Sequence, residues 1–309
     1  MSLADRVRAI PRPLLVEDLL SSTREAVLRF HPARRAFMRS MRTMNIDIDD
    51  LARPLEPLAK NDVIVCGSPR SGTSLLCGML WQPPRMVAVT EPWDAMRLAP
   101  ADLFRSLRRE ITTTRALTRG TLDVGALLAK GVVNRVEESR SSTPVVVVDD
   151  FTLFVKWPSF HRYAPLLPQT KFLVCVRHPF EVISSFKKQG GSLKKGLDYP
   201  TAFHASMNAR LKGETWRHSL RRVRLFDVVH EEILAISALP NVHIVRYERW
   251  FSEADAARDE LSRFLGIPIA KGPASLRPPK PELLLSDDER DLIRRACTTA
   301  ARLGYSLTD

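Results

Sequence analysis

The stretch that most limits what this chain can become is residues 61–81, NDVIVCGSPRSGTSLLCGMLW. Val63 to Cys66 form a short β-branched run suited to a buried strand. From Gly67 the chain passes through small residues into Leu75, Leu76, Met79 and Leu80, which are apolar at helical spacing. A strand that turns through such a loop into a helix points successive backbone N–H groups into one concavity at the positive end of that helix. A phosphate or sulfate docks there without many side chains.

The phosphate-loop pattern G-x-x-x-x-G-K-[ST] is nearly met by Gly67, Gly72 and Ser74, with Thr73 standing where the lysine belongs. Without the lysine that reaches the terminal phosphates of a nucleoside triphosphate, the loop is poorly equipped for ATP. Arg70 still supplies a fixed positive charge inside it. The plain alternative is a tight strand-to-helix turn that binds nothing.

Further strands are expected at Met86–Val89, Pro144–Asp150, Lys171–Val176 and Val242–Glu248, giving an α/β fold: a single domain with a mostly parallel central sheet flanked by helices. Residues 1–60 form an N-terminal helical extension and 61–309 the main domain. In open α/β sheets ligands collect at the carboxyl ends of strands, so Glu91, after the second strand, is placed to act as a general base. A helix cap or an ion pair is the other use for it. The Val145–Val148 run ending in Asp149 and Asp150 also reads as the Mg²⁺-holding strand of a phosphate-loop NTPase or kinase, a rival reading weakened by the missing lysine. Lys156, six residues beyond Asp150, either places a cation near a transferred group or is a solvated lysine.

Two segments together resemble a known family. SPRSGTSLL, residues 68–76, looks like the 5′-phosphosulfate loop of sulfotransferases, which use 3′-phosphoadenosine 5′-phosphosulfate (PAPS). The strand Lys171–Val176 followed by Arg177-His178-Pro179 and then Ser185 resembles the family segment that grips the 3′-phosphate. The resemblance implies that Arg70, Ser71, Gly72, Thr73 and Ser74 hold the 5′-phosphosulfate. It also implies that Arg177 and Ser185 hold the 3′-phosphate. Tyr247-Glu248 is similar to a late family element whose tyrosine lies by the adenine, although Arg249 follows where that element has Asp.

The reaction so implied is sulfuryl transfer from PAPS to a hydroxyl or amine, with Glu91 as base, Lys156 beside the transferred group and no metal. The Glu-Pro after the second strand and the Gly304-Tyr305 finish are similar to carbohydrate and bacterial members, which points to a carbohydrate or glycolipid acceptor. The family's glycine-rich Arg-Lys-Gly segment is missing, and the spacing of Arg277 and Lys280 assigns neither to its role. His161 and His204 are alternative bases.

Lys and Arg number 47 against 35 Asp and Glu, for a net charge of +12, which favours anionic partners without choosing among nucleotides, glycans, lipids and nucleic acids. A non-catalytic basic protein is the second rival; no nucleic-acid partner is expected. The four cysteines, Cys66, Cys77, Cys175 and Cys297, lack metal-ligand or C-x-x-C spacing and read as buried thiols of a reducing compartment. No leader or membrane-spanning run is legible, so a cytoplasmic enzyme is expected. The basic helical pattern within residues 1–60 fits either a cap on the sheet or peripheral contact with anionic membrane. Residues 95–142 and 201–239 read as helical, the basic half of the second either steering an anionic acceptor or forming an exposed face balanced by its own carboxylates, and Ala254–Phe264 and Ser286–Gly304 read as two amphipathic helices.

Overall fold

The computed structural model describes residues 55–92, 98–117, 143–157, 160–189, 211, 218–270 and 285–308. In chain order the strands are β1 (Asp62–Gly67), β2 (Met86–Thr90), β3 (Ala116–Leu117), β4 (Thr143–Pro144), β5 (Thr152–Lys156), β6 (Lys171–Val176) and β7 (Val242–Arg246). The helices are α1 (Thr73–Met79), α2 (Pro100–Thr114), α3 (Pro179–Gln189), α4 (His218–Ile236), α5 (Arg249–Ser252), α6 (Ala254–Leu265) and α7 (Asp287–Ala296), with 3₁₀ turns at Phe160–Leu166 and Ala301–Leu303.

Five strands pair in parallel in the order β2-β5-β1-β6-β7, and β3 and β4 form a separate antiparallel ribbon. The order explains the composition. β1 is central, with a parallel neighbour on each side, and every one of its residues is buried, hence the unbroken apolar run rather than an alternating one. After β1 the chain lays β5 on one side and β6 on the other. The loop that leaves β1 therefore opens at the point where the winding reverses, the usual ligand crevice of such sheets.

The described residues fall into two compact units, one containing 55–177 and 235–270, the other 178–234 and 285–308. In the first, one sheet face is covered by α1 through Leu75, Leu76 and Met79 and by α6 through Ala257, Leu261 and Leu265, packed on Val63, Val65, Ala88, Phe154, Leu173 and Val245. Asn241, just before β7, donates from its amide nitrogen to the carbonyls of Ala164, Leu167 and Thr170 at 3.0–3.1 Å, tying the turn before β6 to the start of its neighbour. Asp62 pairs with Arg108 of α2 at 2.6 Å and accepts from Ala59 N–H. Burial nevertheless pushes its carboxyl above the ordinary value, outweighing the arginine.

The second unit is held by a buried carboxylate. Asp227 of α4 accepts from the amides of Thr298 and Thr299 at 3.0–3.1 Å and from both hydroxyls at 2.8–3.1 Å, capping the turn before the last 3₁₀ segment. α7 opens on a capping box, Ser286 with Glu289. His178 joins the chain's end to the start of α3: its Nδ1 accepts from Phe180 N–H and its Nε2 donates to Ser306 O at 2.8 Å.

Several expectations are corrected. Val145–Asp150 is not a buried strand: only Thr143–Pro144 is strand there, Val146 is 66% exposed, and Asp149 and Asp150 are exposed. The buried strand is β5, which starts at Thr152, because its register with β1 and β2 puts Leu153, Phe154 and Val155 into the sheet. The Ser286–Gly304 segment is not one helix; α7 stops at Ala296, where Cys297 turns extended and the Thr298 and Thr299 amides go to Asp227 instead of continuing the helix. The basic face of α4 is not all exposed: Arg221 and Arg222 are buried, and Arg222 faces Glu289 of α7 at 3.5 Å, while Arg224 lies 3.9 Å from Asp227 of its own helix. The helical pattern of residues 1–60, His204, Arg277 and Lys280 lie outside the described residues, apart from 55–60. Among the described residues no helix is long and apolar enough to cross a membrane.

Candidate active site

β1 ends at Gly67, whose φ of 139° carries the chain out of the sheet; a Cβ there would come 2.3 Å from the Cys175 carbonyl oxygen, so β6 backbone fills the space of a side chain. The loop then tightens on itself. Ser71 is fully buried, and both its N–H (3.1 Å) and its hydroxyl (2.6 Å) donate to the Ser68 carbonyl. Its polar groups thus shape the turn. Arg70, at the tip, is exposed and left-handed (φ 73°), and Gly72, left-handed at φ 96°, caps α1. The amides of the first turn of α1, at Thr73 and Ser74, have no acceptor within the helix and are the donors such a cap presents.

Glu91, also left-handed (φ 48°), follows β2, and its N–H donates to Lys156 O at 3.0 Å, extending the β2–β5 pairing by one bond. This brings two side chains together over the loop. Lys156 Nζ lies 2.7 Å from Glu91 Oε1 and 2.9 Å from Ser74 Oγ, with only 6% of the lysine side chain exposed and 23% of the glutamate. Of the two readings of Lys156, the solvated one is excluded: β5 delivers it into the site because its Cα sits in register between Val65 and Thr90. For Glu91, the ion pair is present.

Arg177 leaves the end of β6 and turns toward the same loop. Its Nη1 donates to Arg70 O at 3.4 Å, and its guanidinium carbon lies 4.0 Å from the centroid of the Tyr247 ring. Tyr247, immediately after β7, donates its N–H to Val176 O at 3.0 Å. Ser185 lies on α3, in the other unit, half-buried.

The loop, Glu91, Lys156, Arg177 and Tyr247 therefore gather at the carboxyl ends of the parallel strands. Asp149 and Asp150 do not: they precede β5, and the five residues of β5 carry the chain about 16 Å from them to Lys156. Their opposite placement removes the support for a Mg²⁺-holding strand end. His161 is buried in the 3₁₀ turn. The coupling of Ser74, Lys156 and Glu91 and the contact of Tyr247 with Gly72 are not foreseen by sequence; no local signal carries them, since each joins residues far apart in the chain.

A family model described as "Sulfotransferase family" matches residues 62–271. No curated protein sequence matches the chain. Among solved structures, the sulfotransferase domain of the Synechococcus PCC 7002 olefin synthase is similar at 17% identity, covering 82% of this chain and 87% of that one with a TM-score of 0.39. The sulfotransferase domain from the curacin biosynthetic pathway gives 18%, 82%, 99% and 0.41 for the same quantities. A sulfotransferase from Alicyclobacillus acidocaldarius gives 14%, 82%, 95% and 0.38.

Proposed function

The chain belongs to the sulfotransferase family, and from that premise we propose that it moves the sulfuryl group of PAPS to a hydroxyl or amine, with a carbohydrate or glycolipid as acceptor and residues 61–309 as the transferase domain. The observation that carries the reading is the convergence, at one end of the sheet, of the glycine-capped turn, a carboxylate–ammonium pair and Arg177. Several positive groups around one loop, Lys156 on Ser74 and Arg177 on the Arg70 carbonyl, suit a donor that carries more than one anionic group.

In this reading the α1 amides at Thr73 and Ser74, with Arg70, hold the 5′-phosphosulfate, while Ser71 and Gly72 set the turn that presents them. Arg177 takes the 3′-phosphate. Lys156, already bonded to Ser74 of the loop, places its ammonium beside the bridging oxygen, where negative charge grows as the sulfur–oxygen bond to phosphate breaks. The acceptor oxygen attacks sulfur in line, adenosine 3′,5′-bisphosphate leaves, and the Glu91 carboxylate receives the acceptor's proton. The steps need positioning and charge and no metal.

Thermal-shift titration tests the reading. Adenosine 3′,5′-bisphosphate should raise Tm at concentrations where ATP does not, with or without Mg²⁺. Stronger stabilisation by ATP–Mg²⁺ would return the NTPase reading to favour.

A further inference from the structure

Tyr247 touches two parts of the proposed donor site that lie far apart in sequence. Its backbone bond to Val176 O fixes it beside the residue before Arg177. Its ring lies so close to Gly72 that a Cβ on that glycine would come 2.2 Å from Cδ2 and 2.8 Å from Cε2. The same ring carries the Arg177 guanidinium at 4.0 Å. Phe251 of α5 meets it edge-on, with centroids 5.1 Å apart and planes at 63°. One stiff aromatic side chain is thus buttressed from α5, pressed on the cap of α1 and roofed by the arginine.

A guanidinium over an aromatic face is attracted to it and loses rotamer freedom before any ligand arrives. We propose that Tyr247 is a positioning residue that fixes Arg177 relative to the phosphate loop, so that the donor's second phosphate meets a guanidinium already in place. The proposal rests on the reading of Arg177 as a 3′-phosphate ligand. It differs from the adenine contact that the family resemblance implies. A platform needs only an aromatic face and acts on the 3′-phosphate, whereas an adenine contact acts on every adenine nucleotide alike.

The test is calorimetric titration of the full chain with adenosine 3′,5′-bisphosphate and with adenosine 5′-monophosphate. The ratio of their affinities reports the 3′-phosphate contact alone. Tyr247→Phe should keep the ratio of the unsubstituted chain. Tyr247→Leu should shrink it about fivefold to tenfold with little change for the monophosphate. Tyr247→Met, unbranched and adaptable, serves the same purpose should the leucine variant fail to fold. Equal weakening of both nucleotides, leaving the ratio intact, would overturn the proposal in favour of an adenine contact. Arg177→Ala separates the two levels: if it leaves the ratio unchanged, the 3′-phosphate reading falls and the proposal with it. If it abolishes the ratio and Tyr247→Leu does not reduce it, the proposal alone falls.

Discussion

Lys156 and Glu91, 65 residues apart in the chain, hold each other at 2.7 Å at the carboxyl ends of adjacent parallel strands, and the same ammonium reaches Ser74 at 2.9 Å. The pair links the loop to the carboxylate that faces it. The two partners should therefore fail differently. Glu91→Gln keeps the shape and a hydrogen-bond acceptor for Lys156, so adenosine 3′,5′-bisphosphate should bind as before while turnover falls by about 10²–10⁴-fold, the usual worth of a positioned base. Paired titration and steady-state kinetics check it; unchanged turnover would send the search for a base elsewhere.

Lys156→Met should act on both donor binding and rate. It also takes a charged partner from the Glu91 carboxylate, and bonds to charged groups contribute about 1.5–3 kcal/mol, toward the low end here because Glu91 is partly solvated. Urea unfolding of Lys156→Met, Glu91→Gln and the double variant should show coupling: the double variant less destabilised than the sum of the singles. Strict additivity would mean the pair contributes nothing to stability.

Two glycines frame the loop, and they should tolerate a methyl group unequally. At Gly67 the obstacle is the Cys175 carbonyl at 2.3 Å, backbone locked in the sheet; at Gly72 it is the Tyr247 ring, which is a side chain. Both positions also carry a backbone strain cost of about 1–3 kcal/mol for a non-glycine residue. Gly67→Ala should thus lower the urea midpoint more than Gly72→Ala, and adding Tyr247→Leu should recover part of the loss at Gly72 and none at Gly67.

What the sequence discloses, and what it hides, divides along locality. The β1–loop–α1 passage is legible because its signals lie side by side: Val63 to Cys66, the two glycines and the apolar spacing of Leu75, Leu76 and Met79. The strand ends at Glu91 and Arg177 are legible for the same reason. Val145–Val148 misleads because β-propensity describes a residue's fitness for a half-buried pleat, and here Thr152–Lys156 wins the place by pairing with both β1 and β2. Side-chain couplings such as Lys156 with Glu91, or Arg177 with Tyr247, depend on strand order. The order β2-β5-β1-β6-β7 follows from tertiary packing that no local pattern records.

His243 gives the stability a pH dependence of known sign. Its ring, on β7, stacks on Phe264 at 5.1 Å with Glu260 at 4.0 Å. Burial lowers its pKa below 6.5, opposed by Glu260 and aided by Arg249. The unfolded chain then binds the proton more readily than the folded one. Stability due to this group is lost as pH falls from 6.5 toward the lowered folded value and is level above 6.5. Urea midpoints measured between about pH 5 and 7 should rise with pH, and His243→Gln should flatten that rise. An equal slope in the variant would assign the effect to other groups.

The thiols offer a measure of binding that does not depend on catalysis. Cys77 and Cys175 are buried in the core between the sheet and α1, Cys66 is buried within β1, and Cys297 is half-buried beside Asp227. Burial pushes Cys66 and Cys175 well up and Cys77 to about 12; at Cys297 burial, helped by the Asp227 carboxylate, also gives about 12. Only thiolate attacks an aromatic disulfide reagent, so at neutral pH these four should react at the rate permitted by opening of the fold. A ligand that binds the folded state lowers the open population by the factor 1 + [L]/Kd, about 100-fold at a hundred times Kd. Adenosine 3′,5′-bisphosphate should therefore slow thiol labelling in proportion to its concentration above Kd, and Arg177→Ala should shift that dependence to higher concentration. Labelling that is fast in the native protein and indifferent to the nucleotide would contradict both the burial of these cysteines and the proposed donor site.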